Sequence, residues 1–222
     1  MKDLPQSLRR IWEIISGDEY PAAQQRFGRP WPIYAPPRWL SDGELNPIAR
    51  TEILRQLEPF LHFKARSVAM KELEDRELSS ESERRISYYV EVQVGLAARD
   101  HVKSIVDSID NDARRIHLLA DLADDLTSLL KKAIDLFAAA GKANRDDDPS
   151  WADQPSISSH PQNRHFHEWS YLIDLVRDSF TAVAQVKPAS ANALLERWNT
   201  IEYPVFRRLV VHGLTEWTLQ QQ

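Results

Sequence analysis

Residues 112–139 read DARRIHLLADLADDLTSLLKKAIDLFAA, and this stretch decides the fold class. Ile116, Leu119, Ala123, Leu126, Leu130, Ala133 and Phe137 recur at spacings of three and four, which puts them on one face of an α-helix. Leu122 and Leu129 widen that face beyond the narrow seam of a coiled coil. The spacing therefore predicts a long helix that meets several neighbours in a bundle. Gly141 stands where a helix stop is expected.

The same period continues toward the C-terminus. Phe166, Trp169, Ile173, Val176, Phe180 and Val183 predict a helix over 165–185. Ala191, Leu194, Leu195 and Trp198 predict a short helix after Pro188. Phe206, Leu209, Val210, Gly213, Leu214 and Trp217 predict a last one after Thr200, with one side turned to a core. Between the two strongest helices, residues 142–163 are polar and carry Asp146, Asp147, Asp148, Pro149, Pro155 and Pro161. They read as a loop or boundary. Trp151 is the one aromatic within this loop, either folded back or free to anchor a partner.

Toward the N-terminus the signals are mixed. Leu8, Ile11, Trp12 and Ile15 predict a helix over 4–16, and a short one is expected over 22–27. Four prolines between 29 and 46 exclude a helix there. Asn46-Pro47 opens a helix that ends before Pro59, and residues 61–78 are read as helical. Ser80 and Glu83 form a capping box for a helix running to Ile109. Tyr88, Val90, Val92 and Val94 alternate at strand period inside it, but length, cap and continuation favour helix.

The expected class is thus all-α, an irregular helical bundle or a HEAT-like α-solenoid segment. The parts are an N-terminal helical part over 1–141 with a proline-rich loop at 29–46, a polar loop at 142–163 and a repeat-like helical part over 164–222. The 222 residues suffice for a substantial core. A net charge of -5 argues against a general grip on nucleic acid. With no cysteine there are no disulfides or thiolate metal sites, and a cytoplasmic location is expected. No apolar run reaches membrane-spanning length. The six glycines are too dispersed for a Walker A loop or a dinucleotide fingerprint.

Few residues point to chemistry. His160, His165 and His167, beside Glu168, could ligate zinc, but the last two diverge by ~200° if helical. Asp121 and Asp125 share a helix face with Asp124 beside them, and read as solvated carboxylates. Asp146–Asp148 lack the glycine of a calcium loop, and Ser158 and Ser159 near His160 lack a nucleophile-elbow context. No cofactor is expected. Arg207 and His212 have the spacing that resembles the ribonuclease motif of HEPN domains. That resemblance implies an RNA-cleaving dimer with paired motifs. Against it, residues five apart on a helix diverge by ~140°, and Arg208 stands where that family has a small polar residue.

From His165 onward the chain resembles the C-terminal helical region of large bacterial antiphage defence proteins of the sirtuin-like or STAND ATPase type. The carriers are Trp169-Ser170-Tyr171-Leu172-Ile173, Leu194-Leu195-Glu196-Arg197-Trp198 and Val205-Phe206-Arg207-Arg208-Leu209. The resemblance implies a scaffold or sensor segment of a larger protein, with the catalytic part elsewhere. No sirtuin or ATPase signature is present in these residues. The expectation is a non-enzymatic protein-interaction segment, its partner another protein, the remainder of a longer chain or a second copy.

Overall fold

In the computed structural model the described residues are 40–41, 44–45, 47–65, 90–97, 103, 113–163 and 167–220. All of them belong to one compact unit, 35–222. The expected helices over 4–16 and 22–27, and most of the 29–46 loop, lie outside the described residues.

The described part is mostly helical, with six helices and a small β-component. Strands β1 (Leu40–Ser41) and β2 (Glu44–Leu45) pair antiparallel and lead into helix α1 (Pro47–Gln56). Proline at the first position of α1 suits a site with no helical N–H to offer. Two further strands follow, β3 (Pro59–Ala65) and β4 (Val90–Leu96), then α2 (Ala113–Ala139), a short α3 (Ser150–Asp153), α4 (Tyr171–Val186), α5 (Pro188–Asn199) and α6 (Pro204–Gln220).

Where helix is expected at 61–65 and at 90–94, the structure has β3 and β4, which pair antiparallel from Pro59↔Leu96 to Ala65↔Val90; residues 66–89 of the two expected helices lie outside the described residues. The alternation decided the conformation. Val94 and Leu96 are buried against α2, while Glu91, Gln93 and Gly95 take the other face. The partner strand lies about thirty residues away in sequence, a range at which local capping and length cannot report. The outer edge of β4 is closed by side chains. Lys142 Nζ donates to the Val92 carbonyl at 2.9 Å, and Glu168 Oε2 accepts the Leu96 N–H at 3.2 Å.

Helix α2 ends as its glycine predicts. Gly141 adopts φ 72°, its N–H reaches the Ala138 carbonyl, and the Lys142 N–H reaches Phe137. This is a Schellman stop, which satisfies carbonyls that the helix leaves open. The main contact in the fold is α2 against α4, and α5 and α6 pack on the same core. Leu126, Leu130 and Ile134 of α2 meet a cluster that includes Leu172, Ile173, Val176 and Phe180 of α4, Trp198 of α5 and Phe206 and Leu209 of α6. Each such large side chain contributes roughly 1.5–3 kcal/mol by burial. The helices before and after 142–163 share this single core. Leu214 departs from its expected core role and is 50% exposed.

Asp121, Asp124 and Asp125, read as solvated, keep exposed surface and also join elements. Asp121 accepts from Lys187 at 2.7 Å, Asp125 from Arg50 Nε at 2.8 Å, and Asp124 from Arg197. Such exposed pairs are worth about 0–1 kcal/mol each. Among the described residues no helix is long and apolar enough to cross a membrane.

Within the core, the Trp198 indole N–H donates to Thr127 Oγ1 at 2.9 Å, both side chains being buried. Thr127→Val keeps the volume and removes the acceptor. It should destabilise the fold by about 1–3 kcal/mol, read as a lower urea midpoint at unchanged slope. An unchanged midpoint would show that the bond contributes nothing.

Candidate functional site

Helix α6 starts with a deficit. Tyr203 occupies its N-cap position and Pro204 its first turn, so no side chain there can take the first free N–H groups. Asp148, from the preceding loop, supplies the acceptor. It is 2% exposed, and its Oδ2 accepts the Val205 N–H at 2.8 Å. Its Oδ1 accepts the Ser150 N–H at 2.9 Å and also the Ser150 hydroxyl. A carboxylate at a helix N-terminus is further favoured by the helix dipole.

The rest of the loop is held as tightly. Asn144 Oδ1 accepts the N–H groups of Asp146 and Asp147, forming a turn around its own side chain. Asn163 Nδ2 donates to the carbonyls of Ser156 and Ser158, and its Oδ1 accepts the Ser156 N–H. Arg177 on α4 donates to the Ile157 carbonyl at 2.9 Å and to Asp174 at 2.7 Å. The Trp169 indole donates to Asp153 at 2.8 Å. The polar loop read from the sequence is therefore bonded along most of its length to the helices around it.

Between this loop and α6 lies a cleft of about 500 Å³, a common size for a binding site. Trp151, Pro155, Ser156 and Ser158 line it from the loop, and Pro204, Arg207, Arg208, Val211 and His212 from α6. Asp146 is the one carboxylate among the lining residues. The Arg208 guanidinium sits 4.5 Å from the centre of the Trp151 ring, a cation–π contact. It also donates to Ser150 Oγ at 3.0 Å and to the carbonyls of Gln154 and Pro155 at 2.7 Å. Burial pulls its pKa below the ordinary guanidinium value, and Asp148 opposes that pull. Trp151 stays 54% exposed and Val211 65%.

Arg207 and His212 line the same cleft but act on different groups. Arg207 Nη2 donates to the Glu202 carbonyl at 3.0 Å and to the Arg145 carbonyl. His212 Nδ1 lies 3.4 Å from Ser158 Oγ. The histidine trio does not assemble within what is described. His160 Nδ1 accepts the Gln162 N–H at 3.2 Å, His167 Nε2 stands 3.5 Å from Asp153, and His165 lies outside the described residues. Among the described residues no three His, Asp or Glu side chains group as metal ligands.

Two features escaped the sequence reading. Asp148 looked like loop charge, and the missing cap at Tyr203 was the available signal for it. Arg208 looked like an outer-face charge, and nothing local announces its contacts with residues 150–155. No protein-family model, curated protein or solved structure matches this chain.

Burial holds the His212 imidazole below the usual histidine range; Glu216 opposes this, Arg177 adds to it, and Asp178 opposes it. The folded protein thus binds this proton more weakly than the unfolded chain does. Its contribution to stability is complete above the unfolded value of about 6.5 and declines as pH falls below it. His212→Gln should flatten that part of the curve when urea midpoints are compared from about pH 8 to about pH 5. Identical pH slopes for the two proteins would exclude the effect.

Proposed function

We propose that this chain is a non-enzymatic helical scaffold or protein-interaction segment, and that its docking face is the exposed side of α6 with the loop beside it. The observation that carries the reading is the exposure of Trp151, Val211 and Leu214 in a fold whose other large apolar groups, among the described residues, are covered. Val211 and Leu214 are three apart on α6 and so neighbour one another on its surface. Trp151 and Val211 share the cleft. Exposed apolar groups bordered by polar ones mark interaction surfaces, and tryptophan and arginine carry much of the energy in them. The bonded loop holds Trp151 in place before a partner arrives, which lowers the ordering cost of binding. A HEAT-like array and a place in a defence-type protein belong to the same proposal. They rest on the resemblance from His165 onward and on helices α4, α5 and α6, which follow one another through short connections.

A HEPN-like ribonuclease is the second reading, favoured by one observation: Arg207 and His212 line a single cleft. Arg207 already donates to two backbone carbonyls, which weighs against a role on phosphate. RNA cleavage lost on His212→Ala would establish the ribonuclease instead of the scaffold.

Photo-crosslinking from position 211, with exposed Asn192 as the control position, tests the docking face in cells that express the chain. The expected result is a discrete protein adduct from position 211 alone, abolished by Leu214→Asp. That substitution, at an exposed site, should change stability by no more than about 0.5 kcal/mol. Absence of any adduct from position 211, or the same adduct from both positions, would refute the assignment.

A further inference from the structure

The protein-interaction reading leaves the chemistry of the partner open, and the charges of the cleft narrow it. Elsewhere among the described residues most of the arginines and lysines that bridge elements do so through carboxylates, with Lys142 on the Val92 carbonyl as an exception. Arg50 pairs with Asp125, Arg177 with Asp174 and Asp178, Arg197 with Asp124, and Lys187 with Asp121. Arg207 and Arg208 differ. Their hydrogen bonds go to carbonyls and to one hydroxyl, all neutral acceptors. Arg207 makes both of its bonds through Nη2, so its Nε and Nη1 donors are not used in them. The carboxylate whose charge acts on Arg208 is Asp148, and both of its oxygens are taken up by Val205 and Ser150. Among the described residues no carboxylate stands at ion-pair distance from either guanidinium, and both reach the cleft next to the exposed apolar surface of Trp151 and Val211.

We infer that the segment docked here is a polypeptide carrying an aspartate or glutamate next to a large apolar side chain. This rests on the protein-interaction reading. The carboxylate takes the open donors of Arg207, a charge-assisted bond of the kind guanidinium geometry favours. The apolar side chain covers Val211 and the free part of the Trp151 ring. A polyanion such as RNA fits less well. Asp146 lines the same cleft, the chain carries a net charge of -5, and a phosphate backbone offers no apolar complement to Val211 and Leu214.

Selection of a random peptide library on the 222-residue chain, counter-selected on its Val211→Asp variant, tests the inference. The expected pool is enriched in Asp or Glu adjacent to Leu, Phe or Trp. A synthetic peptide from that pool should bind Arg207→Ala at least about tenfold more weakly. Arg207→Lys should recover part of the affinity, and added salt should reduce it. A pool without acidic bias, or a basic one, overturns the acidic partner while leaving a docking face in place. A pool that does not distinguish the wild type from Val211→Asp overturns both. Oligouridylate binding that is lost on Arg207→Ala, with no peptide selected, assigns the cleft to nucleic acid instead.

Discussion

A single buried carboxylate, Asp148, organises the C-terminal half of the described fold. Helix α6 begins at a proline after Tyr203 and brings no cap of its own, so its first turn needs an acceptor from elsewhere. Asp148 provides it, and a buried carboxylate is tolerated there because three donors and the helix dipole compensate its lost hydration. The same contact ties residues 142–163 to α6. Ser150 then meets Arg208, Arg208 covers Trp151, and the cleft takes its shape between them. Packing on the other side of α6 follows, since Phe206 and Leu209 enter the core formed by α2, α4 and α5. One loop residue thus couples the core-facing and solvent-facing sides of the last helix.

How much of this the sequence disclosed depended on distance along the chain. The stripes of α2 and α4 were legible because each is periodic over its whole length, and Gly141 marked its own stop. Strands β3 and β4 were misread as helix because their partners lie about thirty residues apart, while the helix signals around Val90–Val94 were local. Leu214 was assigned to the core by spacing, yet the buried arc at that level of α6 is centred on Gly213, packed close to Leu195 and Phe180. Apolar residues at the margin of a stripe can fall on either side of the boundary with solvent, and periodicity alone does not separate the cases.

The site was harder to read than the fold for a related reason. Helix periodicity puts Asp121, Asp124 and Asp125 on the solvent side, and it does not show the basic partner that each has on a distant segment. Arg207 and Arg208 are equivalent in sequence, but Arg207 joins the carbonyls of Glu202, just before its own helix, and Arg145, while Arg208 reaches residues 150–155 and stacks on Trp151. The face they frame combines exposed aliphatic groups, a tryptophan held by a cation and a shortage of carboxylates. That combination is what supports the proposed docking of another polypeptide.

If Asp148 holds the loop and α6 together, amide hydrogen exchange will register its removal. In Asp148→Ala the Val205 and Ser150 amides should lose protection and residues 150–158 should exchange faster than in the wild type, while α2 and α4 keep theirs. Unchanged protection at Val205 and through the loop would show that Asp148 has no such role.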